Sequence, residues 1–238
     1  MPIDLCSAES IPKPLTERLR AFDQRLRRSE FLDSLLEEDS LVEIVRDLDE
    51  VCEAERVIAY HFTRADPRLI HEHGLLACSG AERRESFIAT YGHLFTEQQL
   101  ARIREIWQSY FNGAQNHARD GRVWFNLTLQ ALKNGGADRL LSHFGGEVVY
   151  MPLTSEYGVS RVLNSLGEPL VVKCDLDTSR ARTFTEFPWG KTWLSAYHRT
   201  LNTNAHPMDW DCYLPETLTP NQILEIVPAL ELGWRGDM

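Results

Sequence analysis

The sequence lacks any long apolar run, which limits the classes of protein to which it can belong. No stretch approaches the roughly 18 uninterrupted apolar residues of a membrane-spanning helix. The first twenty residues also lack the apolar core of a secretory signal. With 238 residues, 43% of them hydrophobic, the chain is long enough to fill a core of its own. We therefore expect a globular cytoplasmic protein that does not bind membranes.

Cysteine is scarce and scattered. The five cysteines are Cys6, Cys52, Cys78, Cys174 and Cys212. Their number is odd and none forms a Cys-x-x-Cys pair, so the sequence indicates neither a disulfide framework nor a cysteine zinc site. His71 and His73 are two positions apart on a predicted helix, and their side chains therefore point away from each other. We expect reduced, mostly buried thiols and no metal ion.

The common catalytic signatures are missing as well. The chain contains no Gly-x-Gly-x-x-Gly, no Gly-x-x-x-x-Gly-Lys-Ser/Thr, no His-Glu-x-x-His and no Gly-x-Ser-x-Gly. The sequence therefore lacks the main evidence for a Rossmann dinucleotide site, a P-loop, a zinc protease or a hydrolase nucleophile elbow.

Positive charge is in deficit, and the acidic residues are concentrated early in the chain. The net charge of −10 argues against a protein that coats nucleic acid through a broad basic surface. Residues 29–55 hold eleven acidic residues and one arginine. An apolar stripe at helical spacing runs through Leu35, Leu36, Leu41, Val42, Ile44 and Val45. Packing of this stripe explains the pattern, and the alternative is an acidic face that docks a partner or mimics nucleic acid.

Helices are predicted mainly in the first half of the chain and strands in the second. The pattern predicts two or three helices over 16–54, a short helix over 66–76 and mainly helix over 80–120. Predicted strands are RVIAYHF (56–62), RVWFNLT (122–128), GEVVYMPL (146–153), EPLVVKCDLD (168–177), DWDCYL (209–214) and QILEIVPAL (222–230). Without a regular βαβ alternation, this order favours an α+β fold. We predict an acidic helical region over 1–55 and one domain over 56–238.

Four of these segments, taken in order, resemble the ADP-ribosyltransferase superfamily. YHFTRADPRLIHEHGLL is similar to its first core strand, which ends in His-x-Ser/Thr, and to the helix that leads to a Gly-Leu. RVWFNLT is similar to the second core strand and GEPLVVKCDLD to a middle strand. DWDCYLPETLTPNQILEIVPAL is similar to the ending, where one strand carries the catalytic acid. The resemblance covers about residues 56–231, is best to DNA-modifying toxins and related bacterial transferases, and implies a split-sheet core.

The resemblance implies that NAD is the substrate and assigns residues to its binding. His61 would donate a hydrogen bond to a ribose hydroxyl, and Thr63 would be a further ribose contact. The backbone of Phe62 would pair with the nicotinamide carboxamide, and Trp124 and Phe125 would flank the nicotinamide ring. Nothing in the assignment requires a metal ion. The alternative for His61 is a buried core histidine whose hydrogen bonds are satisfied.

The catalytic carboxylate is where the sequence departs from the family, which usually supplies glutamate. In the matching register this chain has Asp211, with Asp209 two positions before it, and we favour Asp211. Aspartate is one methylene shorter than glutamate, which leaves three alternatives. Either the strand approaches the substrate more closely, or Glu147 or Glu216 supplies the carboxylate, or the site is degenerate. The alternative for DWD is a solvated strand start.

Residues 178–208 form a predicted loop that combines positive charge with aromatic rings. The loop has a local excess of three positive charges, although the whole protein is acidic. Basic residues interleaved with aromatic ones suit phosphate contact and base stacking, and the resemblance places the acceptor here. The acceptor-binding candidates are Arg180, Arg182, Trp189, Lys191 and Arg199. Alternatively, Trp193 and Tyr197, four apart, form one apolar helix face.

Together these features predict an NAD-dependent mono-ADP-ribosyltransferase. A bacterial toxin or defence effector is expected, with a nucleic-acid or protein acceptor and an inhibitory partner of the antitoxin kind. The alternatives are an inactive binding module that keeps the fold, or an NAD glycohydrolase. An RNA 2′-phosphotransferase needs several arginines around its phosphate, and the predicted core has few besides Arg64 and Arg122.

Overall fold

The computed structural model describes residues 1–113, 115 and 119–236. Its α-helices before residue 115 are α1 (Lys13–Leu19), α2 (Asp23–Leu26), α3 (Asp39–Ala54), α4 (Pro67–His73), α5 (Gly80–Tyr91) and α6 (Glu97–Tyr110). Those after residue 119 are α7 (Gln130–Asn134), α8 (Asp138–Ser142), α9 (Glu147–Tyr150), α10 (Tyr157–Ser165) and α11 (Pro188–Leu201). The parts of the predicted 80–120 helix at 114 and 116–118 lie outside the described residues, as do residues 237 and 238 of the predicted domain.

The strands form one six-stranded sheet. They are β1 (Arg56–Ala65), β2 (Val123–Asn126), β3 (Glu168–Asp177), β4 (Arg182–Thr183), β5 (Asp211–Leu214) and β6 (Ile223–Pro228). The order across the sheet is β4-β5-β2-β1-β3-β6. β1 pairs antiparallel with β2, with Tyr60 opposite Asn126, and β4 pairs antiparallel with β5, with Arg182 opposite Tyr213. The mixture of helices and antiparallel sheet confirms the α+β class.

One strand prediction is wrong. Residues 146–153 form the short helix α9 and a 3-10 turn (Met151–Leu153) instead of a strand. Gly145 and Gly146 both have positive φ and set the start of the helix. Val149 is buried, and its carbonyl accepts a hydrogen bond of 2.8 Å from the Trp107 indole. A short apolar run fits a buried helix turn as well as a strand, and packing decides between them.

The described chain divides into two compact units that interleave along the sequence. One, here unit 1, comprises 1–60, 125–130 and 174–213, and unit 2 comprises 61–124, 131–173 and the segment from 214. Neither unit coincides with the predicted regions 1–55 and 56–238.

In unit 1, α3 packs directly against α11. The buried face of α3 consists of Leu41, Ile44, Val45, Leu48, Asp49 and Cys52. A Cβ added to Gly190 of α11 would lie 2.1 Å from the Val45 carbonyl oxygen, so only glycine permits this approach. The Gly190 amide donates a 2.8 Å hydrogen bond to the Asp49 carboxylate. Burial raises the pKa of Asp49 to about 6, because the charged form is desolvated. Packing of the predicted stripe is therefore confirmed for Leu41, Ile44 and Val45, whereas Leu35 and Leu36 lie in a turn before α3 and are half-buried.

Within unit 1, aromatic residues of α11 form hydrogen bonds to the N-terminal segments. The Trp193 indole donates to the Ser7 carbonyl at 3.0 Å, and the Tyr197 hydroxyl donates to the Asp23 carboxylate at 2.7 Å. His198 is fully buried. The loop predicted over 178–208 is therefore interrupted by a buried helix, and the helix-face interpretation of Trp193 and Tyr197 is confirmed.

Unit 2 has its own aromatic core and a tight connection after α4. Its rings include Phe87, Phe95, Trp107, Phe111 and Phe144. Gly74 ends α4 with φ 75°, and a Cβ there would lie 2.0 Å from the Leu218 carbonyl oxygen. Leu75 and Leu218 exchange two backbone hydrogen bonds of 2.9 and 3.0 Å. Glycine is therefore required at 74 by both its conformation and its contact. Among the helices of the described residues, none has the length and apolar character needed to cross a membrane.

Gly190→Ala should lower the free energy of unfolding by about 2–3 kcal/mol, because the added methyl forces α3 and α11 apart. Urea denaturation measures this change. Gly158→Ala is the matched control, since Gly158 is an exposed helical glycine whose added Cβ would meet only the Gln99 side chain. The control should be neutral or more stable by up to about 1 kcal/mol. Equal effects of the two substitutions would contradict the close helix contact.

Candidate active site

Strand β2 sends alternate side chains to opposite sides, and this decides which of them can meet a ligand. Val123, Phe125 and Leu127 are buried, whereas Trp124 and Asn126 are half-exposed. Phe125 is only 2% exposed and therefore has almost no surface for a nicotinamide ring. The assignment of Phe125 to the nicotinamide is therefore corrected, and Trp124 remains the only one of the two that can flank the ring.

Asp209 and Asp211 both bind to the end of β2 within unit 1. The Asp211 carboxylate accepts a 2.7 Å hydrogen bond from the Asn126 side-chain amide. The Asp209 carboxylate accepts a 2.9 Å hydrogen bond from the Thr128 backbone amide. Between them the Trp210 carbonyl accepts from the Leu127 amide at 3.2 Å. Both aspartates are therefore held against one neighbouring segment of the chain.

The two carboxylates have different environments. Asp211 is exposed, whereas Asp209 is half-buried. Burial raises the pKa of Asp209 to about 6, and the hydrogen bonds from Thr128 and Leu127 oppose this change while the negative charge of Asp211 adds to it. Asp209 therefore exchanges a proton near neutral pH. A carboxylate whose pKa is raised toward the working pH suits general acid–base catalysis.

Trp210 lies between the two aspartates in the sequence, and its ring is close to a lysine of α11. The Lys191 ammonium group lies 6.0 Å from the centroid of the Trp210 ring, within range of a cation–π interaction. The carboxylate whose pKa the positive charge of Lys191 lowers is Asp49, on the neighbouring helix α3. This position differs from the exposed acceptor contact that the sequence predicts for Lys191.

In unit 2, His61 is fixed by a hydrogen bond of 2.8 Å between its Nδ1 and the Trp124 carbonyl oxygen. A carbonyl only accepts, so Nδ1 carries the proton and the neutral ring has an unprotonated Nε2. Burial lowers the pKa of His61, which favours this neutral form. The expectation that His61 donates to a ribose hydroxyl is therefore corrected, because the neutral ring would accept from that hydroxyl through Nε2.

The residues around His61 have unequal access. Phe62 is buried, so that only its backbone can meet a ligand, as predicted, and Thr63 is half-exposed. Arg64 donates at 2.7 Å to the Leu166 carbonyl, and burial lowers its pKa. Arg64 is therefore bound to backbone, which gives no support to a phosphate site of the phosphotransferase kind.

Glu147, the alternative source of the carboxylate, lies in a different setting from the aspartates. It begins helix α9 instead of lying on a strand, and its carboxylate forms an ion pair of 3.1 Å with Arg119. That ion pair gives Glu147 a partner within unit 2, whereas in unit 1 Asp211 accepts from Asn126 and Asp209 accepts from Thr128. The structure thus brings together the two aspartates.

Of the five acceptor-binding candidates, the structure exposes three. Arg180, Arg182 and Arg199 are exposed, and Arg182 lies on β4 opposite Tyr213. Trp189 is 3% exposed inside α11, so its assignment to base stacking is corrected. Trp189 packs into the core because, like Trp193, it lies on the buried face of the helix α11.

The sequence interpretation missed several residues of this site. Asn126 and Thr128 hold the aspartates, and Tyr213 shares a strand face with Asp211. The polar residues at 126 and 128 follow Trp124 at a spacing of two, and this alternation is a signal that the sequence does contain. The pairing of β2 with the segment at 209–211 cannot be read from that signal, because it depends on the sheet order.

Comparison with known proteins identifies no relative of this chain. No protein-family model matches it, and neither the curated proteins nor the solved structures include a significant match. Among the described residues there is no group of three or more His, Cys, Asp or Glu side chains arranged to hold a metal ion.

Proposed function

We propose that this chain is an NAD-dependent mono-ADP-ribosyltransferase. The observation that carries the proposal is the aspartate pair, with Asp211 exposed and held by Asn126, and Asp209 half-buried and held by Thr128. Cleavage of the bond between ribose and nicotinamide develops positive charge on the ribose, in an oxocarbenium-like transition state. A fixed carboxylate stabilises such charge. Asp211 has this role in the proposal.

The order of the strands supports the same assignment. The resemblance assigns nicotinamide and ribose contacts to the first two core strands and the carboxylate to a later one. These strands correspond to β1, β2 and β5, and the sheet order β5-β2-β1 makes them consecutive.

Each remaining residue of the proposal has a defined task. His61 accepts a hydrogen bond from a ribose hydroxyl through Nε2, and the half-exposed Trp124 presents its ring to the nicotinamide. The Phe62 backbone pairs with the carboxamide, and Thr63 adds a ribose contact. Asp209, with a pKa of about 6, takes the proton of the attacking acceptor group.

In the cell, the protein would be a bacterial toxin or defence effector that acts in the cytoplasm and is restrained by an inhibitory protein.

Two other functions could use the same site residues. An NAD glycohydrolase would transfer ADP-ribose to water alone, and an inactive binding module would release no nicotinamide. Nicotinamide release from NAD by the purified chain, measured alone and with DNA, RNA or lysate, separates the three. The transferase is supported if an added acceptor increases the release of nicotinamide and itself becomes labelled with ADP-ribose.

Asp211→Asn should reduce nicotinamide release by about 100-fold or more with little change in NAD affinity, because it removes charge and keeps shape. Asp211→Glu should retain more activity than Asp211→Asn. Chromatography of released nicotinamide and calorimetry of NAD binding measure the two quantities. Asp33→Asn, at an exposed aspartate elsewhere in the chain, is the control. If Asp209, Asp211, Glu147 and Glu216 can each be neutralised without effect, the binding module replaces the enzyme.

Asp209→Asn should remove a pH dependence. The pKa of Asp209 is raised to about 6, so the carboxylate is protonated below that pH and cannot accept a proton. Transfer by the unmodified chain should therefore rise about tenfold per pH unit below 6 and level off above it. In Asp209→Asn the transfer rate should be low and independent of pH, whereas Asp211→Glu should keep the rise in rate below pH 6. If Asp209→Asn keeps that rise unchanged, another group accepts the proton.

His61→Ala should weaken NAD binding by about 10- to 100-fold, which corresponds to the loss of one buried hydrogen bond. His61→Asn is the sharper variant, because its amide can still donate to the Trp124 carbonyl while Nε2 is lost. The Asn variant should therefore keep its melting temperature and still bind NAD weakly. Intact NAD affinity with a lowered melting temperature would identify His61 as a core residue only.

A further inference from the structure

A groove lies between helices α5 and α6 in unit 2, and none of its described lining residues is among those assigned to NAD. The groove has a volume of about 560 Å³, within the range of roughly 300–1,000 Å³ that is typical of small-molecule sites. Its lining includes Arg84, Ile88 and Ala89 from α5, Arg104 and Trp107 from α6, and Phe111 directly after α6. We call this cavity the α5–α6 groove.

Arg84 is a half-buried cation that forms no ion pair with a carboxylate of the described residues. Its guanidinium carbon lies 4.4 Å from the centroid of the Phe111 ring, and its Nη1 donates to the Val148 carbonyl oxygen at 3.4 Å. Burial lowers the pKa of Arg84, and the negative charge of Asp120, beyond ion-pair distance, opposes this change. A partly buried cation without a paired counter-charge is costly, so an anion in the groove would stabilise it.

Arg104 adds a second guanidinium group on the α6 side of the groove. It is exposed, and no acidic side chain in the part of the chain that the structure describes lies within ion-pair distance of it. Glu85 also lines the groove, so the lining has two arginines against one glutamate, an excess of one positive charge. The whole chain, in contrast, has a net charge of −10. The α5–α6 groove therefore complements an anion.

A second cavity in unit 2 shows why this combination matters. It has a volume of about 460 Å³ and is lined by Arg102, among other residues. Arg102 already pairs with Glu105 at 2.9 Å and with Glu156 at 3.2 Å. Because its charge is satisfied within the chain, we expect no anion there.

We propose that the α5–α6 groove binds a small organic anion with an aromatic body. The acidic group of the anion, a carboxylate or a sulfonate, accepts hydrogen bonds from Arg84 and Arg104. Its ring packs on the apolar part of the groove, which Ile88, Trp107 and Phe111 provide. Trp107 and Phe111 are each only 6% exposed, so the uncovered apolar surface suits a ring and falls far short of the about 800 Å² per partner of a protein interface.

The test titrates the full chain with two fluorescent dyes that have the same rings. Anilinonaphthalene sulfonate is an aromatic anion, and phenylnaphthylamine lacks the sulfonate. The anionic dye should bind more tightly than the neutral one. Arg104→Gln should weaken binding of the anionic dye by about 10-fold or more, because a hydrogen bond to a charged group is lost, and should leave the neutral dye unaffected. Arg84→Gln should act in the same direction, and Arg104→Gln decides if that variant fails to fold.

The second cavity supplies matched controls. Arg102→Gln changes an exposed arginine of the same helix and should leave the affinity for both dyes unchanged. Ala89→Phe should weaken binding of both dyes by about 10-fold or more, because the added ring fills the groove. Ala101→Phe, at an exposed alanine that lines the second cavity, should have no effect. The melting temperature of each variant verifies that it is folded.

Four results would overturn the inference. Equal affinity for the two dyes would show apolar contact alone, and equal weakening by Arg102→Gln and Arg104→Gln would show a non-specific effect of charge. Displacement of the anionic dye by NAD would assign the groove to the nucleotide. A dimer of the chain without dye, seen by size-exclusion chromatography and dissociated by Ala89→Phe, would assign the groove to a second copy. Dye binding does not require nicotinamide release, so failure of the proposed function leaves this inference standing.

Discussion

The contact between α3 and α11 is the constraint on which unit 1 depends. Asp49 is buried, and it accepts a hydrogen bond from the Gly190 amide at a point where the two helices nearly touch. The position of α11 then fixes the segment that follows it, because the Met208 amide donates to the Ser195 hydroxyl at 2.8 Å. The aspartates at 209 and 211 come directly after this anchor. The acidic helix α3 therefore acts on the aspartates through α11, which holds the chain just before them.

The carboxylates illustrate how one short segment produces two chemical environments. Asp211 is exposed at the start of β5 and bonded to a side-chain amide, while Asp209 is drawn inward by the Thr128 backbone amide. Burial of the second carboxylate has an energetic cost that its hydrogen bonds offset only in part, and the pKa of about 6 records the balance. The sequence DWD therefore contains one exposed carboxylate, Asp211, and one carboxylate whose pKa is raised by burial, Asp209.

Much of the fold could be predicted from periodicity, and the failures have physical causes. The strands at 56–65, 123–126, 168–177 and 211–214 follow from β-branched and aromatic runs bounded by breakers. The helix at 147–150 was missed because its apolar run is too short for periodicity to decide. The orientation of Phe125 and the burial of Trp189 depend on which side of an element meets the core, and their assignment to a ligand ignored that alternation. The aspartate pair was predicted, but its partners Asn126 and Thr128 require the sheet order.

The separation of the α3–α11 contact along the chain has a consequence for folding. Asp49 and Gly190 are 141 residues apart, and the bond from Trp193 to Ser7 spans 186. Contacts between such distant residues cost loop entropy before they contribute stability, so unit 1 has a high contact order. During synthesis from the N-terminus, the apolar face of α3 exists for most of translation without α11 to cover it. Slow folding and a dependence on protection of that face follow from the order in which the chain is made.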